Sequence, residues 1–297
     1  MRKALSEELC RLASLDSRLI FITGDLGFQV FDQFKANYPK RFLNVGIAEA
    51  GAIGVAAGLS INGFKPVVYS IASFLTSRAF EQIRFFSAQN SCPLILVGAG
   101  SGFNYGNSGP THHALDDIGL ASLIPDIEIF TPIGPKETKD SLREAFNSTK
   151  SAYIQIGKYG ELDLQISLNT GNSICGLIAY GSSARILNQY PDYDNVFGHY
   201  CDTFFFRKVS DIDSSEFTQF INNHSELILV EDQFEKSGLS LEILNTVAKL
   251  GLPATRFTRF GPSHEFIHLN FTEEQFRDYY KYSAQHLLDY FRRNFEK

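Results

Sequence analysis

One acidic residue stands out because small and apolar residues surround it. Glu49 lies in the stretch RFLNVGIAEAGAIGVAAGLS, residues 41–60, in which no other acidic side chain occurs. Such neighbours would exclude water from the carboxyl group and let a backbone or a flat ring approach it closely. A buried carboxyl group with one fixed orientation can share a proton with a bound base. The alternative is an ordinary glutamate in the first turn of a helix, where the helix dipole favours it.

Two other segments carry side chains suited to a site at the end of a parallel sheet. Asp25 follows the β-rich run LIFIT, and ligands of open parallel sheets gather at the carboxyl ends of strands. Its alternative is an aspartate that caps a turn or helix. A glycine-rich run, GAGSGFNYGNSGPTHH, ends in His112 and His113. A histidine in such a loop can exchange protons near neutral pH, although paired histidines also occur on ordinary surfaces.

The elements that must position these residues are alternating strands and helices. Five β-rich runs predict one sheet, at residues 19–23, 66–70, 94–97, 127–130 and 153–156. Helical patterns lie between them at 48–61, 77–89, 114–124 and 135–148. Two further strands, at 174–179 and 227–230, follow a polar stretch, and the chain ends in a helical pattern. This alternation is typical of α/β folds with mainly parallel sheets.

The length of 297 residues favours two domains, since single cores stop growing near about 250 to 300 residues. We predict a first domain over residues 1–160, a linker over 161–172 and a smaller second domain over 173–297. Each would be a mainly parallel sheet flanked by helices. The composition, 44% hydrophobic and 20% charged, is that of a globular protein able to bury large cores.

Charge and cysteine content exclude several classes of function. A net charge of -6 provides no basic face for a nucleic acid backbone. The four cysteines are scattered, which argues against a zinc site or a disulfide framework. Since no run has the length and apolarity of a signal-peptide core or a membrane span, we predict a cytoplasmic protein.

Together the motifs resemble those of the transketolase family, which includes the deoxyxylulose-phosphate synthases. NVGIAEAG resembles the family segment NVGIAEQ or DVGIAEQ, YSIASFLTSRAFEQ resembles the segment with RA(F/Y)(D/E)Q, and GPTHHALDDI resembles GPTHQxxEDI. YIQIGKYG resembles the strand end YIRLGRG, and segments of the second half, ELILVEDQFEKSGLSLEIL and RFGPSHEFI, resemble the family's C-terminal domain. The resemblance spans nearly the whole chain, and it implies thiamine diphosphate as cofactor.

The resemblance also implies roles for individual residues. Glu49 would hydrogen-bond the aminopyrimidine of thiamine diphosphate, and Phe74, for which core packing is the alternative, would pack against that ring. His112 would handle substrate protons or hydroxyl groups. Lys158 would attract substrate phosphate in place of the family's arginine, a surface lysine being the alternative. The other implied cofactor residues are Asp25, Ile71 and Arg78. The implied substrate residues are His112, His113, Ser108 and Lys158.

The chain departs from the family pattern inside the glycine-rich loop. Transketolases usually carry an aspartate where this chain has Ser108 and a histidine where it has Gly100. The synthases carry an arginine at the position of Ser101. Because these family residues contact the sugar donor, we expect a donor or acceptor that differs from the common pentose phosphates.

The chain contains no GDG motif, which in the family helps to hold a divalent metal and the cofactor's diphosphate. The resemblance therefore implies a split enzyme, in which a separate N-terminal subunit carries GDG and ligates Mg²⁺ or Ca²⁺, and two copies of each chain form an α2β2 assembly. We predict transfer of a two-carbon ketol unit between sugar substrates, either phosphorylated or nucleotide-linked. The alternatives are a pyruvate-decarboxylating synthase and a non-catalytic regulatory subunit that retains the fold.

Overall fold

The computed structural model describes residues 1–89, 92–158, 174–187, 197–198, 200–251 and 256–295. Within these ranges the strands form two parallel sheets, a six-stranded sheet in the first half of the chain and a four-stranded sheet in the second. The predicted α/β class with mainly parallel sheets is thus confirmed. The predicted linker, residues 161–172, lies outside the described residues, and the predicted domain bounds stay predictions.

Short, apolar strands build the first sheet. They are β1 (Leu19–Thr23), β2 (Phe42–Asn44), β3 (Lys65–Ile71), β4 (Ile95–Ala99), β5 (Glu128–Phe130) and β6 (Ala152–Ile156). Their order across the sheet is β2-β1-β3-β4-β6-β5, and all pairs are parallel. Every residue of β1, β4 and β6 is buried, as expected where helices cover both faces of a parallel sheet.

The helices of the first half cover the two faces of this sheet with apolar side chains. They are α1 (Arg2–Leu15), α2 (Asp32–Asn37), α3 (Glu49–Ile61), α4 (Ala72–Arg78), α5 (Phe80–Ile83), α6 (Asp117–Ser122) and α7 (Pro135–Asn147). Leu5 and Leu9 of α1 and Leu142 of α7 pack on one face. Ala52 and Ile53 of α3 pack on the other. Small residues along α3 let its axis approach the sheet closely, which brings the first turn of α3 near the end of β3.

The second half repeats the α/β design on a smaller scale. Its strands are β7 (Cys175–Tyr180), β8 (Cys201–Phe206), β9 (Glu226–Val230) and β10 (Arg256–Phe260), in the order β10-β9-β7-β8. Its helices are α8 (Ala184–Leu187), α9 (Ser215–Asn222), α10 (Ser240–Lys249), α11 (Glu273–Tyr279) and α12 (Ala284–Phe295). Side-chain caps mark two helix starts, because Ser214 accepts a hydrogen bond from the N–H of Phe217 and Thr272 accepts one from the N–H of Gln275.

Most sequence-predicted elements are present, and where the prediction gave bounds their ends are shifted by at most three residues. The sequence predicts no strand at the positions of β2, β8 and β10, which the structure contains. The single helix predicted over 77–89 is wrong, because the chain forms α4, α5 and a π-helical turn over Arg84–Gln89. The break falls at Ala79, whose φ of -113° and ψ of 15° are not helical. Since alanine is the strongest helix former, the sequence carries no sign of this break.

A buried aspartate joins the two halves of the molecule. Asp117, at the start of α6, is fully buried and accepts hydrogen bonds from the Tyr153 hydroxyl at 2.6 Å and the Gln155 amide at 2.7 Å, both on β6. It also accepts one at 2.9 Å from the amide of Gln233, which follows β9 in the second half. Burial raises the pKa of Asp117 to about 6, although the three hydrogen bonds act in the opposite direction. The contact between the two halves therefore includes a titratable group.

A second close contact between the halves lies at Gly102, in the loop that follows β4. Gly102 has a φ of +57°, and a Cβ placed on it would come within 2.5 Å of the Cβ of Asp232 in the second half. Asp232 is buried, pairs with Arg277 at 2.9 Å and accepts a hydrogen bond from the Tyr282 hydroxyl at 2.9 Å. The backbone of the loop thus rests directly on a buried ion pair.

Among the described residues, no helix is long and apolar enough to cross a membrane.

The raised pKa of Asp117 predicts a pH-dependent contribution to stability. Because the folded chain favours the protonated form, this contribution is present near pH 4 and is lost as the pH rises to about 6. Relative to an Asp117→Asn variant, we expect the wild type to lose about 2 to 3 kcal/mol of unfolding free energy over this interval. Urea denaturation between pH 4 and 7 measures it, with the surface variant Asp126→Asn as control. A difference that stays constant with pH would contradict the assignment.

Candidate active site

The residues singled out in the sequence lie mainly at the carboxyl edge of the first sheet. β3 leads directly into α4, β4 leads into the glycine-rich loop, and β6 ends just before Lys158. In a parallel sheet the carboxyl ends of all strands lie at the same edge. These three segments therefore come together. α3 adds its first turn from the side of the sheet.

Glu49 is buried and fully paired. It is 7% exposed at the start of α3. One carboxylate oxygen, Oε1, accepts a hydrogen bond from the Ser70 hydroxyl at 3.2 Å, and the other, Oε2, lies 3.2 Å from Nη1 of Arg78. Ser70 belongs to β3 and Arg78 to the last turn of α4, so two neighbouring elements aim this carboxylate. The alternative of a helix-dipole glutamate alone does not account for these partners.

Arg78 connects the carboxylate to an aromatic ring. Its guanidinium carbon lies 3.8 Å from the centroid of the Phe74 ring, and the side chain is 47% exposed. A planar group with N–H donors therefore rests on Phe74 while it bonds Glu49. A nitrogen heterocycle makes the same two kinds of contact, stacking and an N–H bond to a carboxylate. The residues present thus suit an aminopyrimidine ring.

His112 stands next to the same aromatic ring. It ends the second of two short 3-10 turns, Gly106–Ser108 and Pro110–His112, and its ring centroid lies 4.7 Å from that of Phe74. Burial and the charge of Arg78 lower the pKa of His112, while the backbone of Ser108 acts in the opposite direction. The imidazole is thus mainly neutral at pH 7 and can accept a proton.

His113 has different ring neighbours from His112. It is 7% exposed, and its ring lies 5.1 Å from that of Phe103 and 5.0 Å from that of Phe276. Its Nε2 lies 3.2 Å from the carbonyl oxygen of Gly106. These contacts fasten the loop to α11 in the second half, and substrate binding by His113 stays a prediction.

Lys158 and Tyr105 complete a row of side chains across the site. The Lys158 ammonium lies 5.3 Å from the centroid of the Tyr105 ring, and this ring lies 6.3 Å from that of His112. From Glu49 the row therefore runs through Arg78, Phe74, His112 and Tyr105 to Lys158. Sequence reasoning missed Tyr105. The sequence contains a signal for it, because the loop carries one tyrosine. The same loop lacks the histidine and the aspartate that transketolases usually carry at the positions of Gly100 and Ser108.

For three predicted site residues the structure fixes no role in binding. Asp25 is exposed, and its backbone N–H donates to the carbonyl oxygen of Gly46 at 3.0 Å. Ile71 is half-buried at the start of α4, and Ser108 is exposed in the loop. Binding by Asp25, Ile71 and Ser108 stays a prediction.

A cleft of about 460 Å³ opens beside Phe74 and Arg78. The loop and α4 form one wall, including His113, and the second half forms the other wall with Phe234, Phe266 and His268. The sequence assigned no role to these second-half residues. Within the described ranges, no group of three or more His, Cys, Asp or Glu side chains is placed to hold a metal ion.

The family model for the transketolase pyrimidine-binding domain matches residues 1–158, just over half of the chain. The chain belongs to the transketolase family. One of the subunits of apulose-4-phosphate transketolase from Phocaeicola vulgatus is 25% identical over 293 residues, which cover 92% of this chain and 94% of that protein. The 1-deoxy-D-xylulose-5-phosphate synthase of Halothermothrix orenii is 28% identical over 291 residues, 88% of this chain and 44% of the synthase.

A solved transketolase structure has the same fold. The structure called "Split gene transketolase, inactive beta4 tetramer" superimposes with a TM-score of 0.81 at 20% identity, over 98% of this chain and 96% of that chain. The two sheets of this transketolase-family chain therefore follow the architecture of a split-gene relative, while the longer synthase aligns over less than half of its length.

The positive charge of Arg78 predicts an electrostatic effect on the pKa of His112. Because the positive charge of Arg78 lowers the pKa of His112, we expect Arg78→Gln to raise this pKa toward its ordinary value of 6.5. NMR titration of the ring protons measures it, with the His112 signal assigned from a His112→Gln spectrum. Arg84→Gln, on the surface of the same region, is the control. An unchanged titration in Arg78→Gln would show that the two side chains do not interact in solution.

Proposed function

We propose that this chain is the C-terminal subunit of a split, thiamine-diphosphate-dependent transketolase that transfers a two-carbon ketol unit between sugar substrates. The observation that carries the proposal is the buried Glu49, connected to Phe74 through Arg78 within the segment that matches the family's pyrimidine-binding domain. The alignment with one subunit of a transketolase, over almost the whole of both chains, supports the division into subunits.

Four residues of this chain would share the work. Glu49 would hold a ring nitrogen of the cofactor through a shared proton, and Phe74 would supply a flat apolar face that fixes the ring's orientation. When bound, thiamine diphosphate supplies the carbanion chemistry of two-carbon transfer. His112, being mainly neutral, would accept or return a proton at a substrate hydroxyl. Lys158 would attract a phosphate group at the far end of the row.

A partner chain would complete this site. Mg²⁺ or Ca²⁺ and the diphosphate would be held by an N-terminal subunit with the GDG motif, because Mg²⁺ needs several oxygen ligands together with phosphate. Two large apolar side chains on the surface of the first half support a covering partner, Ile47 at 82% exposure and Phe28 at 73% exposure. A covering partner would remove both side chains from water. We propose an α2β2 assembly of the two chains.

The synthase alignment favours a second candidate function. A pyruvate-decarboxylating reaction would use the same Glu49 and Phe74 but a different donor. Product analysis of the reconstituted complex with pyruvate or with a ketose phosphate separates the two candidates. A product that contains the carbon atoms of pyruvate would support the synthase.

Replacement of the buried carboxyl group tests the proposal. In the reconstituted complex we expect Glu49→Gln to lower kcat by roughly 10²- to 10⁴-fold, the usual contribution of a positioned acid or base. Thermal unfolding should confirm that the variant is folded. Glu81→Gln, at an exposed position on α5, is the matched control. Turnover of Glu49→Gln within about twofold of the wild type would instead support a non-catalytic subunit.

Dependence on the second subunit is a separate test. We expect the purified chain to bind thiamine diphosphate weakly and to show no turnover, because it holds only the pyrimidine side of the site. Addition of the GDG-bearing subunit with Mg²⁺ should restore tight binding and activity. Calorimetric titration of thiamine diphosphate and a coupled assay for aldose release measure both properties. Tight binding and turnover by the chain alone would contradict the split site.

A further inference from the structure

The ring of Tyr105 occupies the space beside the Cα of Gly100. Gly100 follows β4, has a φ of +91° and donates its N–H to the carbonyl oxygen of Ile156 at 2.8 Å. A Cβ built on Gly100 would overlap the edge of the Tyr105 ring, at Cδ2 and Cε2. No side chain larger than hydrogen at position 100 is compatible with this position of the ring. The Tyr105 ring therefore fills the space that a side chain at position 100 would occupy.

The same ring lies between the two groups assigned to the substrate. Its centroid is 6.3 Å from that of His112 and 5.3 Å from the Lys158 ammonium. Tyr105 is half-buried, so part of the side chain is open to solvent. No described residue forms a hydrogen bond with its hydroxyl group. A phenol held by packing on a short loop, with its polar end unused by the fold, is suited to bind a ligand.

We infer that Tyr105 is a specificity-determining residue for the sugar substrate, an inference that rests on the proposed function. A sugar phosphate that meets His112 with its hydroxyl groups and Lys158 with its phosphate must lie along the Tyr105 ring. The phenol hydroxyl can donate to, or accept from, one substrate oxygen, and the ring can pack against the C–H face of the carbon chain. The substrate class is a phosphorylated ketose, one of whose oxygen atoms forms a hydrogen bond with the Tyr105 hydroxyl group.

This assignment accounts for the two departures from the family pattern. Gly100 and Ser108 lack the imidazole and the carboxylate that transketolases usually carry there, and the Tyr105 ring occupies the space next to Gly100. A phenol ring therefore stands beside Gly100, where the family usually has an imidazole, and Ser108 supplies no carboxylate. These differences favour a substrate with a different arrangement of hydroxyl groups.

Removal of the hydroxyl tests the inference directly. In the reconstituted complex, Tyr105→Phe keeps the ring and should raise KM for a pentulose 5-phosphate donor about three- to tenfold, with kcat changed less than about twofold. Tyr279→Phe, at a tyrosine with 52% exposure, is the matched control. An unchanged KM in a variant that binds thiamine diphosphate and the partner normally would overturn the inference.

A double-mutant cycle tests the shared space independently. Gly100→Ala should lower kcat/KM by about tenfold or more in the wild-type background, because it displaces the Tyr105 ring. In a Tyr105→Ala background the same change should cost less than about twofold. Backbone strain at the positive φ of position 100 occurs in both backgrounds and cancels. Equal losses in the two backgrounds would overturn the inference.

Comparison with Glu49→Gln separates this inference from the function on which it rests. If Glu49→Gln loses turnover while Tyr105→Phe leaves KM unchanged, the role of Tyr105 fails and the proposed function stands. If Glu49→Gln retains full turnover, the proposed function fails and the inference fails with it. Calorimetric binding of the same donor to the Glu49→Gln complex adds a readout without turnover, and there Tyr105→Phe should weaken binding by a similar factor.

Discussion

The candidate site depends on the cost of a carboxylate removed from water. Glu49 is almost completely buried, and such a group is unstable unless donors compensate for the lost hydration. Arg78 and Ser70 provide that compensation. Arg78 also lies on Phe74, and Phe74 contacts His112. The need to compensate the charge of Glu49 therefore fixes the relative positions of α3, α4 and the glycine-rich loop.

The glycine-rich loop is shaped as much by the second half of the molecule as by the first. Phe103 stacks on Phe276 with ring centroids 4.2 Å apart, and His113 packs against the same two rings. Asp117, just beyond the loop, is bonded by Gln233 from the other side. The second half thus holds the loop that carries His112 and Tyr105, through aromatic packing and one shared carboxylate. It also supplies one wall of the cleft, with Phe234, Phe266 and His268.

The sequence predicted the α/β class and most strands because long apolar runs and their spacing are local properties of a chain. It also singled out Glu49, since a lone acid among small residues is visible without coordinates. It could not predict Tyr105, because the ring's place depends on the absence of a side chain at Gly100, five positions earlier. Nor could it separate His112 from His113, which are adjacent in sequence but contact different aromatic rings. Three edge strands, β2, β8 and β10, were missed, whereas the edge strand β5 was predicted from the β-rich run at 127–130.

The contact between Gly102 and Asp232 has a consequence for how this protein can change. The loop backbone lies against Asp232, one of the two acids that pair with Arg277 in the interior, so added bulk in the loop would reach that ion pair. Bulk added at position 102 would disturb a buried charge pair, and loss of that pair would release the loop. A substitution at position 102 would therefore change the stability of the second half together with the shape of the loop that carries His112 and Tyr105.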